Sequence, residues 1–122
     1  MTVAETRARV ALSLTEALEP YGVTVHAYRP TGSRRARTAW LQLGNVDTVD
    51  VTYGEVRVQL EVVLPVANDQ ADFERAFDRL AGPLVEALQD LGRGITVRPY
   101  TEVIDAANLL CVVGTLTTES EF

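Results

Sequence analysis

Residues 54–65 read GEVRVQLEVVLP, and the alternation inside that stretch decides the fold class. Successive side chains of an extended strand point to opposite sides. Val56, Val58, Leu60, Val62 and Leu64 therefore share one face, and Glu55, Arg57, Gln59 and Glu61 share the other. A strand that is apolar on one face only belongs in an antiparallel or mixed sheet. It does not fit the all-buried parallel sheet of a doubly wound fold.

Beyond this strand, Asn68 or Asp69 can cap a helix in which Phe73, Ala76, Phe77, Leu80, Leu84, Leu88 and Leu91 lie along one side. Gly82-Pro83 interrupts that helix, because proline lacks an N–H and collides with the preceding turn. The stripe keeps its phase across the interruption, so one kinked helix is expected, ending at Gly92 and Gly94. Two strands follow, Ile95 to Tyr100 and Asn108 to Leu116. The unbroken run Leu109–Val113 predicts that the second is a central strand covered on both faces.

On the N-terminal side, VDTVDVTYG (46–54) reads either as a short strand or as a connection, and Gly44-Asn45 reads as a turn. Thr38 to Leu43 is a strand with Ala39, Leu41 and Leu43 inward and Trp40 and Gln42 opposite. Residues 29–37, RPTGSRRAR, have no periodicity and form a loop, and Val23 to Tyr28 precedes it as a strand. The first helix runs from Ala4 to Glu19. Thr2 and Glu5 stand in capping-box spacing, Val3, Val10, Leu14 and Leu18 make its stripe with Ala11 and Ala17 beside them, and Pro20 and Gly22 stop it. The order is α-β-β-β-α-β-β in one domain spanning 1–122, an α+β fold with an antiparallel or mixed sheet and both helices packed on one face. That arrangement is the simplest way to bury both stripes. The predicted core is Leu14, Leu18, Val25, Leu41, Val58, Leu60, Val62, Phe77, Leu80, Leu84, Leu88 and Val112.

Composition narrows function. A hydrophobic fraction of 47% fits a globular chain and excludes a disordered one. No apolar run approaches the roughly 20 residues that span a bilayer, so no membrane partner is expected. The opening MTVAETRARVALSLTEAL mixes charge and apolar residues at helical spacing, which reads as a helix and not as a secretory signal. A net charge of -6 argues against direct nucleic-acid recognition, which needs a basic surface. All 11 basic side chains are arginine, so lysine chemistry, including Schiff bases and phosphate-loop lysines, is excluded.

No constellation points to catalysis, a cofactor or a metal. His26 is the single histidine, and a zinc site would need Cys111 and two carboxylates to converge on it. Cys111 within LLCVV reads as a buried, inert thiol. Asp69 and Asp72 occupy a helix's first turn, where capping explains them. Asp47 and Asp50 lack calcium-loop spacing, and Glu55 and Glu61, with Arg57 between them, read as balanced surface charge. An enzyme reading would need a concave pocket around His26, Asp47 or Asp50. The sharper local signal is basic: Arg29, Arg34, Arg35 and Arg37 concentrate positive charge on an acidic chain. Arginine pairs bidentately with carboxylates, so this loop is expected to dock an acidic neighbour. Trp40, with Glu55, Arg57 and Glu61 on the charged strand face, completes the set of interface candidates.

With these residues in view, the layout resembles the small tail terminator (tail completion) proteins of siphophages that infect actinobacteria. The most characteristic piece is Trp40 through Leu88, with the strand end before Gly44, Tyr53-Gly54, the long strand to Pro65-Val66, the polar turn at Asn68-Asp69 and the long helix. The resemblance implies a homo-oligomer, commonly a hexameric ring, that caps the tail tube, ends its polymerisation and offers the head-joining surface. Its partners would be the tail tube protein and a head–tail connector protein. Its place would be the head-proximal end of the virion tail, reached from the host cytoplasm during assembly. No cofactor and no reaction are implied. Another head–tail connector or minor tail protein, or a cellular non-enzymatic adaptor domain, would share the same features.

Overall fold

The computed structural model describes residues 1–30, 38–50, 52–104 and 107–121. Helix α1 (Val3–Leu18) is followed by a 3₁₀ turn (Glu19–Tyr21) and strands β1 (Thr24–His26), β2 (Thr38–Asp50) and β3 (Glu55–Ala67). Helix α2 (Gln70–Gln89) then leads to β4 (Arg93–Ile104) and β5 (Ala107–Glu121). The five strands form one mixed sheet in the order β1-β2-β3-β5-β4. β1 runs parallel to β2, and every other neighbouring pair is antiparallel. The α+β class and the helix–strand order match the sequence reading.

The alternation of residues 54–65 places the core. Val56, Val58, Leu60, Val62 and Leu64 are all buried on the face that carries the helices. Val10, Leu14 and Leu18 of α1 and Phe73, Leu80, Leu84 and Leu88 of α2 join the same cluster. The two helices divide that face between them, α1 over the β1 and β2 side and α2 over β5 and β4. Gly114 on β5 is what lets α2 lie close. A Cβ there would stand 2.8 Å from Leu88 Cδ1 and 3.1 Å from Leu84 Cδ2. Eleven of the twelve predicted core residues are buried, and Phe77 is half-buried at the cluster's margin. Ala17, expected beside the α1 stripe, is exposed.

Local chemistry fixes α1 at three points. Thr2 and Glu5 form the capping box, with Glu5 N–H donating to Thr2 Oγ1 at 3.2 Å. Thr6 Oγ1 and Ser120 Oγ meet at 3.0 Å in a buried pair that ties the first turn to the end of β5. Thr15 Oγ1 accepts from Val25 N–H at 3.0 Å and ties the last turns to β1. Arg7 lies off the apolar stripe and still turns inward. Its guanidinium donates to Ala27 O and Leu41 O and stacks 4.2 Å from the Tyr28 ring centre. β1 ends at His26, so this guanidinium stands at the sheet edge just beyond the last strand residue.

Three local expectations changed, the first at Leu43, expected inward and found 46% exposed. β1 is shorter than Val23–Tyr28. Gly44-Asn45 is not a turn: it is an irregularity inside β2, where the register shifts between Leu43 and Val46. Gln59 on β3 explains why the ladder survives there. Its Oε1 accepts from Asn45 N–H at 3.4 Å and fills the space a Cβ at residue 44 would need, 2.8 Å away. The ambiguous segment is thereby the continuation of β2 to Asp50, and the chain reverses at Thr52–Gly54. As expected, α2 runs as one helix through Pro83.

The opposite face of the sheet carries a small second core. Trp40, Val63, Cys111 and Val113 are all buried there. Cys111 and Val112 thus face opposite sides of β5, as the LLCVV run required of a strand covered twice.

Candidate interaction surfaces

The predicted interface residues run along the non-helix face, with Arg29 and Trp40 at one end, Glu61 two residues along β3 from the Trp40 row, and Arg57 and Glu55 farther on. Arg29 lies beside the second core. Its guanidinium ion-pairs with the nearly buried Glu102 carboxylate and stacks 5.3 Å from the Trp40 ring centre. The Glu102 carboxylate also pushes the Tyr100 hydroxyl above its ordinary pKa, through its charge first, with burial and a hydrogen bond adding to it. Trp40 is on the non-helix face, as the alternation predicted, but it is wholly buried and presents no side-chain surface to a partner. Arg34, Arg35 and Arg37 lie outside the described residues.

Glu55, Arg57 and Glu61 stand on the same non-helix face, farther along β3. Arg57 is opposite Asp47 on β2 and Glu119 on β5, so each cross-strand step alternates charge. Glu61 approaches Arg98 of β4 at 3.7 Å, and Arg93 bonds Glu119 at 3.0 Å. Such pairs balance the charge around Arg57 and Glu61, each worth about 0–1 kcal/mol, whereas Glu55 stands between Asp50 and Glu121 in an acidic row.

The residues considered for chemistry do not converge. His26 is exposed on β1, and Cys111 is buried with its thiol donating to Leu109 O at 3.5 Å. Asp69 caps α2, accepting from Asp72 N–H at 2.9 Å, and this backbone bond holds its carboxyl below the ordinary range. Asp72 pairs with Arg75 at 3.2 Å. Among the described residues no three His, Cys, Asp or Glu side chains are grouped to hold a metal ion. Among the described residues, too, no helix is long and apolar enough to cross a membrane.

Sequence reasoning missed the surface at the β2–β3 hairpin. β1 pairs only with Thr38–Trp40, so no described strand covers the outer edge of β2 beyond Trp40. Leu43 (46% exposed), Val46 (40%), Val49 (48%) and Tyr53 (74%) line that uncovered stretch. At its far end a pocket of about 530 Å³ opens between the hairpin and the end of β5, lined by Val49, Tyr53, Glu55, Val56, Glu119 and Glu121. The amino group of Met1 ion-pairs with Glu121 at its rim. Val46 and Val49 in VDTVDV were the available signal, but their face depended on the shift at Gly44-Asn45. A second groove, about 460 Å³, lies between the first turns of α2 and Pro99, beside Phe73 and Phe77.

Comparison with protein families finds no family model that matches this chain, and comparison with curated proteins finds no match.

Proposed function

We propose that this chain is a non-enzymatic assembly subunit, in its sharpest form a tail terminator-like protein. It would close as a ring on a phage tail tube, stop polymerisation and present the surface that joins the head. The observation that carries the reading is the outer edge of β2 beyond Trp40, which no described strand covers and which runs beside Leu43, Val46, Val49 and Tyr53. Uncovered edges and apolar rows invite pairing with another chain, and monomers that work alone usually blunt them with charge, proline or a covering element. The resemblance of Trp40–Leu88 to the tail terminator proteins supplies the particular partner, the end of a tube of repeated subunits.

Another head–tail connector or minor tail protein, or a cellular adaptor, would use the same edge on a different partner. Labelling the chain in assembled virions and imaging the label separates these. The terminator reading places it at the head-proximal end of the tail. Label along the tube, at the tip, or absent from particles contradicts it.

A further inference from the structure

We infer that the pocket at the β2–β3 hairpin receives the arginine-rich segment 29–37 of a second copy of this chain, so that copies join head to tail. The inference rests on the assembly reading above and names the contact that reading lacks. Its receptor side combines an apolar floor with an acidic rim. Val49 and Tyr53 are exposed at about half and three-quarters of their surfaces, and Glu55, Glu119 and Glu121 surround them. Glu55 makes no ion pair among the described residues, while Glu119 and Glu121 hold partners that are themselves exposed. This chemistry fits a guanidinium, whose flat faces stack on an aromatic ring while its edges take carboxylate oxygens.

The ligand side is written in the sequence. Besides the anchored Arg29, the segment carries three arginines, Arg34, Arg35 and Arg37, on a chain of net charge -6. Chain length excludes the chain's own pocket. The segment is anchored at both ends near Trp40, by Arg29 stacked on that ring and by Thr38 paired with Thr24. Trp40 is level with Val63, which lies eight residues up β3 from Glu55 at the pocket, and Thr38 is two residues farther away. At about 3.4 Å per strand residue, pocket and anchor are ~34 Å apart. The eight residues between Arg29 and Thr38 must go out and return, so their reach is about 14 Å. The shortfall of ~20 Å exceeds the length of any side chain.

Only another molecule can therefore bring the arginines to the pocket. Because the pocket and the anchors of the segment, Arg29 and Thr38, lie at opposite ends of the sheet, the contact is heterologous. Contacts of this kind propagate around a ring if the rotation closes. Exposed guanidinium–carboxylate pairs weaken with salt, so the association should do so too.

Charge reversal with complementation tests this. Two variants are made, Arg34→Glu with Arg35→Glu and Arg37→Glu, and Glu55→Arg with Glu119→Arg. Sedimentation at low ionic strength measures self-association of each, of their mixture and of the chain carrying all five changes. Wild type should associate, and each variant alone should weaken by about tenfold or more. The mixture should associate beyond a heterodimer, because the native contact forms between one variant's pocket and the other's segment and the charge-reversed contact forms between the remaining pair. The five-change chain should regain association, which also shows that the variants fold. A monomeric wild type, unaffected variants, or a mixture that stays monomeric overturns the inference. Localisation of wild-type chain on virions is read separately, so loss of the tail assignment leaves this result standing, and the reverse.

Discussion

Truncating Leu60 to alanine probes the register on which the whole sheet depends. Leu60 is wholly buried at the middle of β3, with Leu43 of β2 opposite on one side and Leu116 of β5 on the other. Leu60→Ala removes three carbon groups, about 2.4 kcal/mol at about 0.8 kcal/mol for each buried group. The space left is bounded by strands bonded on both sides, so it collapses only partly, and the residual cavity brings the loss to about 3–4 kcal/mol. Leu43 provides the control, since it faces Leu60 directly yet is 46% exposed. Leu43→Ala should cost about 1 kcal/mol or less. Urea denaturation of both variants, fitted with a common slope, reads the difference as a gap between midpoints. Equal losses, or a Leu60→Ala midpoint unchanged from wild type, would refute the placement of this face under the helices.

Three further outcomes are expected. Gly114→Val forces methyl groups against Leu84 and Leu88 and should lower stability by about 1–3 kcal/mol, measured by the same denaturation. Arg7→Ala leaves Ala27 O and Leu41 O without their donor and should lower stability by about 1–3 kcal/mol, whereas Arg9→Ala, at an exposed position, should change little. Acid should erase the contribution of the α2 cap. The folded Asp69 carboxyl sits below its value in the unfolded chain, so the stability it adds is complete above the ordinary aspartate range and is lost as pH falls through the folded value. The gap between wild-type and Asp69→Ala melting temperatures should therefore narrow as pH drops below about 4, and a gap that widens would refute the sign.

Much of this architecture was legible because β3 and both helices bury one face each, and period alone then assigns that face. Val56 to Leu64 show period 2, and the helix stripes show period 3.6. What was illegible depended on contacts between distant residues. Gly44-Asn45 carries local turn chemistry, and only the Gln59 side chain of the neighbouring strand explains why the ladder continues there. Trp40 was placed on the correct face, yet its burial depends on Val63, Cys111 and Val113 arriving from two other strands. Arg29 looked like one of four docking arginines. Glu102, seventy-three positions away in sequence, makes it an anchor of the second core as well. The acidic pocket joins the hairpin to the chain's last strand, a junction no local pattern encodes.

The most direct test of the assembly role is the length of tail tubes polymerised with and without this chain. Purified tube protein is allowed to assemble alone, and again with the wild-type chain added, and tube ends and lengths are measured by electron microscopy. The account predicts ring-capped ends and a distribution of lengths that stops advancing once the chain is present. Tubes that keep growing with uncapped ends, at chain concentrations well above that of the tube ends, would contradict it.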